Sequence, residues 1–245
     1  MIDNIEIREC TSLDEFGACV DLQRAVFRLP EVEISPVRHF IVTRNAGGFT
    51  LGAFARGELI GFVLSVPAFL REGRAFYSHM TAVRNNFQSA GVGAQLKWAQ
   101  RSHALELGVR IIKWTFEPVK ARNAYFNLEK LGAVVTEYQP NFYGVDYAST
   151  PGIGLASDRL FAEWHLESQK VCVLANGNEY REPSAPAMTV EVPADWAELL
   201  NESPENGLNE QLRVRDEFEE AFGKKLVCRG FRRDSHHPEY LLYAK

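Results

Sequence analysis

The spacing of apolar and polar residues predicts an alternation of strands and helices along the first two thirds of the chain. Alternating apolar and polar residues predict half-buried strands, and short continuous apolar runs predict buried ones. The predicted strands cover residues 5–8, 49–55, 59–66, 75–83, 109–116, 133–138 and 160–165. Runs with helical periodicity predict helices over residues 13–27, 36–45, 91–107 and 121–130. The order β-α-α-β-β-β-α-β-α-β-β predicts a mixed α/β layer architecture.

Local signals place the starts and ends of these helices. Ser12 followed by Glu15 predicts a capping box, in which each side chain accepts a hydrogen bond from the other residue's backbone. Ser35 before Pro36 predicts a cap with proline at the first helical position. Gly108 is expected to end the helix over 91–107. The side of that helix expected to be apolar carries Val92, Leu96, Ala99, His103 and Leu107.

The composition of the chain changes from Lys170 onward. Residues 176–186 are rich in turn-forming residues and predict a linker or a long hairpin loop. Beyond them we expect strands over 188–192, 226–231 and 240–243, a helix from Pro193 and Ala194, and another over 209–222. Such a short segment rarely buries a core alone, so we expect it to pack on the preceding domain. The predicted domains are residues 1–168 and a C-terminal extension, residues 169–245.

Composition and charge narrow the classes of function. The 245 residues are 46% hydrophobic with a net charge of −5, which argues against a general nucleic-acid binder while leaving a local basic patch open. No apolar stretch approaches the roughly 20 residues needed to span a bilayer. The four cysteines form no C-x-x-C pair and residues 1–20 lack a secretory pattern, so we expect a cytoplasmic protein without a membrane partner.

The histidines and cysteines do not predict a metal site. The six histidines show no spacing typical of metal ligands. His236 and His237 lie near Cys228, but no fourth ligand follows at a suitable spacing. We therefore expect no bound metal.

The stretch "QSAGVGAQL", residues 88–96, predicts a phosphate-binding loop. It follows a predicted strand and opens a predicted helix, whose free N–H groups and dipole favour an anion. Glycine lets a ligand approach the backbone because it has no Cβ. A Walker loop would need Lys-Ser/Thr where Ala94 and Gln95 stand, and a Rossmann loop would need a third glycine at Leu96. Neither nucleotide motif is present.

A third pattern, Q/R-x-x-G-x-G/A, is complete in Gln88, Gly91 and Gly93, and here the chain resembles the GNAT acyltransferase superfamily. The predicted strand reaches Val83 five residues before Gln88, a spacing typical of the family. The element order over about residues 4–166 is also that of the family, and "RNAYFNLEKLGA" (122–133) resembles its last helix. The chain also looks similar to a branch of predicted GNAT acetyltransferases with a C-terminal extension. The resemblance implies a mixed, mostly antiparallel central sheet with helices on both faces, with an α/β extension packed on it.

The resemblance also implies how coenzyme A would bind. In the family, backbone N–H groups of the loop bind the pyrophosphate; here these belong to Gln88, Ser89, Ala90, Gly91, Val92, Gly93 and Ala94. The pantetheine arm would pair with main-chain groups of Thr81, Ala82 and Val83. Asn123 lies where a family asparagine touches the arm, although it could equally cap the helix that follows Pro118. The implied co-substrate is acetyl-CoA or another acyl-CoA, and no metal is implied.

Acyl transfer to an amine needs a base for the nitrogen and a donor for the departing thiolate. The family's tyrosine, in Y-x-K-x-G, is replaced here by Leu128. Tyr125 could substitute for it, or could be an aromatic core residue, and a thiolate could also leave without an acid. His79 is the candidate base, since histidine titrates near neutral pH. Glu117 is a second candidate base. Alternatively, His79 could be a structural histidine and Glu117 a solvated residue at the end of a strand.

Three functions stay open at this point. The leading hypothesis is an N-acyltransferase that uses acetyl-CoA and a small amine or amino-acid acceptor by direct transfer. The second is a non-catalytic acyl-CoA-binding module, and the third is a protein lysine acetyltransferase. A succinyl donor is open because Arg38, Arg84 or Arg122 could pair with its carboxylate. Arg38 and His39 lie in the region where the family forms the wall of its acceptor site. Nucleic acid is not an expected partner. A homodimer is possible.

Overall fold

The computed structural model describes residues 5–147 and 153–245. The chain divides into two compact units, one ending at Lys113 and the other running from Trp114 to Lys245. This division differs from the predicted domain boundary at residue 168, which stays a prediction. Strand β5 (Ile111–Phe116) contains the point of division.

The first unit is built on strands that follow the predicted pattern closely. Its strands are β1 (Ile5–Glu9), β2 (Phe49–Ala55), β3 (Glu58–Leu70), β4 (Gly73–Val83) and the start of β5, and they lie in this order in the sheet. Neighbours are antiparallel except for β4 and β5, which are parallel. Its helices are α1 (Leu13–Phe27), α2 (Val37–Asn45) and α3 (Val92–Glu106).

The capping prediction is confirmed for α1 and wrong for α2. Ser12 Oγ accepts a hydrogen bond from the Glu15 N–H at 3.2 Å, and Glu15 Oε2 accepts one from the Ser12 N–H at 3.0 Å. Pro36 itself is the N-cap of α2, with no side-chain cap. The Ser35 backbone is held by a tertiary contact, since its N–H donates to the buried Gln23 Oε1 at 2.8 Å.

Helices cover both faces of the first unit's sheet. Helices α1 and α2 share a core cluster with one face, which includes Phe16, Phe40, Phe62, Leu64 and Ala82. Side chains alternate along a strand, so the residue after Leu64 on β3 faces the other way. That residue, Ser65, contacts helix α3 through Gln100. The sheet is therefore covered by α1 and α2 on one side and by α3 on the other.

The buried face of α3 agrees only in part with the predicted one, since Val92 and Leu96 are buried as expected. Leu107 is 42% exposed, whereas Lys97 and Gln100 are buried. Gln100 Nε2 donates to Ser65 Oγ at 2.8 Å and to Ser78 Oγ at 3.1 Å, and Lys97 Nζ donates to Ser78 Oγ at 3.1 Å. Burial lowers the pKa of Lys97 to about 7. A polar network thus joins α3 to β3 and β4 through Lys97 and Gln100, two positions outside the predicted apolar side.

The second unit contains the end of β5 and five further strands. These are β6 (Val134–Gln139), β7 (Arg159–His165), β8 (Met188–Glu191), β9 (Val227–Arg232) and β10 (Glu239–Tyr243). They lie in the sheet order β7-β6-β9-β10-β8. Each of these neighbouring pairs is antiparallel. Its helices are α4 (Ala121–Tyr125), α5 (Gln169–Ala175), α6 (Trp196–Glu202) and α7 (Pro204–Gly223). The predicted helix over 121–130 is α4 followed by a π-helical turn, Phe126–Lys130. Helix α5 was not predicted, and α7 begins at Pro204 rather than near Asn209.

The C-terminal extension packs on residues 114–168 of the same unit, as the sequence predicted. Strand β9 pairs with β6 at Cys228 and Val135. The Tyr240 hydroxyl donates to the Pro118 carbonyl at 2.6 Å. Arg215 of α7 binds both carboxylate oxygens of the buried Asp158 at 2.9 Å. The extension therefore completes the second unit's sheet and core.

Across residues 5–147 and 153–245, the helices are all too short or too polar to cross a membrane.

Candidate active site

The loop between β4 and α3 presents backbone N–H groups at the start of a 15-residue helix. The Gln88 N–H donates to the Asn85 carbonyl at 3.2 Å, and the Gln95 N–H makes the first helical bond, to the Gly91 carbonyl at 3.0 Å. Between these positions, the N–H groups of residues 90–93 find no well-aligned acceptor among the described residues. Free N–H groups at a helix N-terminus, together with the helix dipole, form a binding site for an anion.

Glycine keeps the space in front of this loop open. Gly91 adopts φ 82° and ψ −1°, a left-handed conformation that suits glycine. A Cβ built on Gly91 would meet nothing within 4 Å, and one on Gly93 would meet only Val83 Cγ2 at 3.9 Å. The residues present therefore fit a diphosphate lying against the loop.

The side chain of Gln88 ties the loop to the end of β4. Its Nε2 donates to the Val83 carbonyl and to Asn85 Oδ1, both at 3.1 Å. This brace accounts for a long polar residue at the first position of the loop pattern. The loop and Val83 are thus brought together, as the sequence predicted from their spacing.

Strand β4 has one edge that its parallel neighbour only partly covers within the first unit. Its registered pairs with β5 are Phe76 with Ile112 and Tyr77 with Lys113. Further along, Thr81, Ala82 and Val83 pair with β3 on the opposite edge. An extended ligand could therefore add to the β5 side of β4 through main-chain hydrogen bonds.

A β-bulge in β4 sets the position of His79. The β3–β4 register changes between the pairs Leu64–Met80 and Ser65–Ser78, so His79 is the extra residue. Strict alternation would put Ser78 and Met80 on the same face. Instead, Ser78 contacts α3 while Met80 packs against the cluster of α1 and α2. A bulge redirects a side chain, and such bulges are frequent beside active sites.

The bulge brings His79 close to His39 of α2. The two ring centroids lie 5.2 Å apart, with the ring planes inclined by 59°. Part of the His79 surface is exposed, but the surrounding protein desolvates its imidazole. This desolvation lowers the pKa of His79 to about 4, and the charge of His39 lowers it further. Burial also lowers the pKa of His39. The near-neutral pKa expected for His79 is therefore not found, and the His79 imidazole is neutral at pH 7.

The other predicted side chains belong to the second unit. Glu117 directly follows β5 and accepts a hydrogen bond from Lys120 Nζ at 2.8 Å. The Tyr125 ring has two cations near it, with Lys130 Nζ and the Arg233 guanidinium carbon each 5.5 Å from its centroid.

Two further positions on the same helical segment differ in exposure. Asn123 is exposed, and its N–H donates to the Lys120 carbonyl at 2.9 Å. Leu128, at the family's tyrosine position, is fully buried and therefore a core residue.

Sequence reasoning missed the partnership of His39 with His79 and the polar network of Lys97. No sequence signal joins His39 to His79, because their proximity depends on the bulge and on the packing of α2. Among the described residues, no group of three or more His, Cys, Asp or Glu side chains is arranged to hold a metal. His237 Nδ1 lies 2.9 Å from Glu191 Oε1, and this carboxylate raises the pKa of His237.

Comparison with known proteins gives a fold likeness. No protein-family model and no curated protein matches the sequence. A GNAT family acetyltransferase from Elizabethkingia anophelis, solved with acetyl-CoA bound, matches with a TM-score of 0.51 and 20% identity, over 67% of this chain and 99% of that one. Aminoglycoside 6'-acetyltransferase type Ii matches with a TM-score of 0.53 and 17% identity, over 67% and 99%.

A third structure, the ribosomal-protein-S18-alanine N-acetyltransferase from Escherichia coli, matches with a TM-score of 0.52 and 12% identity, over 68% of this chain and 97% of that one. These proteins are covered almost completely, while about a third of this chain lies outside each match. The glycine loop, the partly uncovered β4 and the element order agree with this likeness. The chain has the fold of the GNAT acetyltransferases, with a further segment beyond it.

Proposed function

We propose that the protein is an N-acyltransferase that moves an acyl group, by default acetyl, from coenzyme A to the amine of a small molecule. The observation that carries this proposal is the loop before α3. Its N–H groups between Ala90 and Gly93 are available to a diphosphate, and the loop follows directly on β4, whose registered pairs with β5 are at Phe76 and Tyr77. A fold neighbour with acetyl-CoA bound supports the same co-substrate.

The chain's own residues would hold the coenzyme in three ways. The loop from Gln88 to Ala94 would bind the pyrophosphate through backbone N–H groups. Main-chain groups of Thr81, Ala82 and Val83 would pair with the pantetheine arm as a strand pairs with its neighbour. Asn123, which is exposed, would contact the arm. When bound, the coenzyme supplies an activated acyl carbonyl.

The reaction requires two proton movements. The acceptor nitrogen attacks the thioester carbonyl, the C–S bond breaks, the nitrogen loses a proton and the thiolate gains one. His79, neutral at pH 7, would receive the nitrogen's proton, with Glu117 as the second candidate. Tyr125 would protonate the thiolate; Lys130 Nζ and the Arg233 guanidinium carbon lie 5.5 Å from its ring centroid.

The acceptor is proposed to be a small amine or amino acid. Aminoglycoside acetylation by one fold neighbour supports a small-molecule acceptor, while alanine acetylation on a ribosomal protein by another keeps a protein acceptor as an alternative. A non-catalytic module is the second candidate, because the family's tyrosine position is the buried Leu128. We also propose a cytoplasmic location, which the four free cysteines support. We further propose that the acyltransferase domain ends near residue 168, where the C-terminal extension begins.

Release of free thiol from acetyl-CoA, measured across a panel of amines, tests the enzyme directly. Calorimetric titration with coenzyme A tests binding separately. We expect tight binding together with turnover on at least one small amine. Binding without turnover on any amine or lysine peptide would favour the non-catalytic module, and absence of binding would exclude both.

A further inference from the structure

At the bulge in the first unit, two residues of β4 face a single residue of β3. The regular pairs on either side are Leu64–Met80 and Val66–Tyr77. Between them, Ser65 lies opposite both Ser78 and His79, and its registered partner is Ser78. The flanking pairs would be unchanged if His79 took the place of Ser78 beside Ser65. A further contact therefore has to select which of the two side chains turns toward α3.

Two side chains of α3 bind Ser78 on this side of the sheet. Ser78 Oγ accepts hydrogen bonds from Lys97 Nζ and from Gln100 Nε2, each at 3.1 Å. Gln100 Nε2 also donates to Ser65 Oγ at 2.8 Å, so one amide nitrogen joins the two serines that are registered at the bulge. Each of these four residues is at most 5% exposed. Because buried donors need acceptors, the network favours the arrangement in which Ser78 faces α3.

The other residue of the bulge, His79, faces α2. There its ring and the ring of His39 lie with their centroids 5.2 Å apart. If the two bulge residues exchanged sides, His79 would instead lie against Lys97 and Gln100, where a neutral imidazole nitrogen could accept a hydrogen bond. Because the Ser78 hydroxyl already accepts from these two donors, the histidine is left to face α2.

We propose that Ser78 is a positioning residue: its two hydrogen bonds to α3 turn His79 to the opposite side of the sheet, toward α2. The effect of Ser78 on acyl transfer rests on the proposed function, in which His79 receives the proton of the acceptor nitrogen; the placement of His79 does not. Helix α3 then acts in two ways. Its first residues present N–H groups to the coenzyme, and its later residues fix the side of the sheet on which the base lies.

Ser78→Ala tests the proposal because it removes the acceptor and leaves both donors of α3 in place. The first readout is the nuclear Overhauser effect between the ring protons of His39 and His79 in histidine-labelled protein, assigned by its loss in His39→Ala. We expect this signal in the unaltered protein and its loss in Ser78→Ala, since His79 can then supply the missing acceptor.

The second readout is thiol release from acetyl-CoA with an amine that the unaltered protein acylates. In Ser78→Ala, kcat is expected to fall about tenfold or more, because a general base contributes about 10²–10⁴-fold to the rate. KM for acetyl-CoA is expected to stay unchanged, because the N–H groups of the loop are not affected. A variant that was only less stable would show neither the lost ring signal nor this separation of kcat from KM.

Ser102→Ala makes the same change at an exposed position of α3, where Ser102 Oγ donates only along the helix, to the Trp98 carbonyl at 3.3 Å. It is expected to leave the ring signal and kcat unchanged. Gln100→Met keeps the Ser78 hydroxyl and removes one of its two donors, so both readouts should fall by less than in Ser78→Ala. If Ser78→Ala does not fold, Gln100→Met decides alone: a weaker ring signal supports the proposal and an unchanged one overturns it.

An unchanged signal between the two histidine rings in Ser78→Ala would overturn the proposal. A lost signal with an unchanged kcat would support the positioning of His79 and remove His79 from the reaction. If the unaltered protein releases no thiol with any amine, the proposed function fails, and the ring signal still tests the role of Ser78.

Discussion

Alanine at each of the two loop glycines separates the backbone geometry of the loop from the space in front of it. Gly91 has a left-handed conformation, and a Cβ there would meet nothing within 4 Å. Gly91→Ala therefore introduces no collision, and its cost comes from the backbone alone, about 1–2 kcal/mol. Gly93 lies in the first turn of α3, where alanine is favoured over glycine by up to ~1 kcal/mol.

The two variants are therefore expected to change unfolding free energy in opposite directions. Urea unfolding should show Gly91→Ala less stable than the unaltered protein and Gly93→Ala equally stable or more so. Calorimetry should show that Gly91→Ala weakens coenzyme A binding about tenfold, or ~1.4 kcal/mol, because a relaxed backbone turns the N–H groups away. Gly93→Ala should bind normally, since the loop pattern accepts alanine there and the added Cβ meets only Val83 Cγ2 at 3.9 Å.

Equal coenzyme A affinity in Gly91→Ala and the unaltered protein would refute this reasoning. It would mean that the orientation of the loop amides does not govern binding. A large loss of stability in Gly93→Ala would show that the space beside Val83 is smaller than the structure has it.

Three further variants test polar groups that the fold buries. His39→Ala is expected to raise the pKa of His79, since the charge of His39 lowers it, so the acidic limb of the kcat/KM profile should move to higher pH. The pKa of Lys97 is about 7 in the folded protein and 10.5 when the side chain is exposed. Between pH 7 and pH 10.5, the unfolded chain therefore keeps a proton on this lysine that the folded protein has lost. Stability of the unaltered protein relative to Lys97→Met should therefore rise with pH in that window, by at most ~1.4 kcal/mol per pH unit. Arg215→Ala removes the cation from the buried Asp158 carboxylate, which keeps hydrogen bonds from the Tyr138 hydroxyl and the Asn141 N–H, and should cost about 3 kcal/mol in urea unfolding.

Controls on neighbouring groups make these outcomes decisive. Arg213→Ala, on the same helix as Arg215, removes half-exposed ion pairs and should cost less than about 1 kcal/mol. Equal losses of unfolding free energy in Arg213→Ala and Arg215→Ala would contradict the larger contribution expected of the buried Arg215–Asp158 pair. A pH profile unchanged by His39→Ala would remove His79 from proton transfer. If the unfolding free energies of Lys97→Met and of the unaltered protein depend on pH in the same way, this lysine stays charged in the folded state.

Short-range signals were sufficient for most of the fold. The Ser12–Glu15 capping box and the glycine loop depend on residues close together in the chain, and both were found where predicted. The strands were also predicted closely, because burial on the pleated sheet sets a period that the sequence displays. Ser203 before Pro204 carried the same kind of start signal for α7, although the prediction began that helix later.

Features that depend on partners distant in sequence were not predicted. The bulge at His79 arises from the register between β3 and β4, which no local pattern specifies. Lys97 lies outside the predicted apolar side of α3, yet it is buried and its amine donates to Ser78 Oγ on β4. The contact between His39 and His79 requires both the bulge and the packing of α2.

The place of β9 beside β6 has a consequence for any shortened form of the chain. Ending the chain near residue 168 would remove β9 and leave one side of β6 with unsatisfied N–H and C=O groups. An uncovered strand of this kind invites pairing with another molecule, the route to edge-to-edge aggregation. The part of the chain that carries the acyltransferase fold is therefore expected to stay monodisperse only with its C-terminal segment attached.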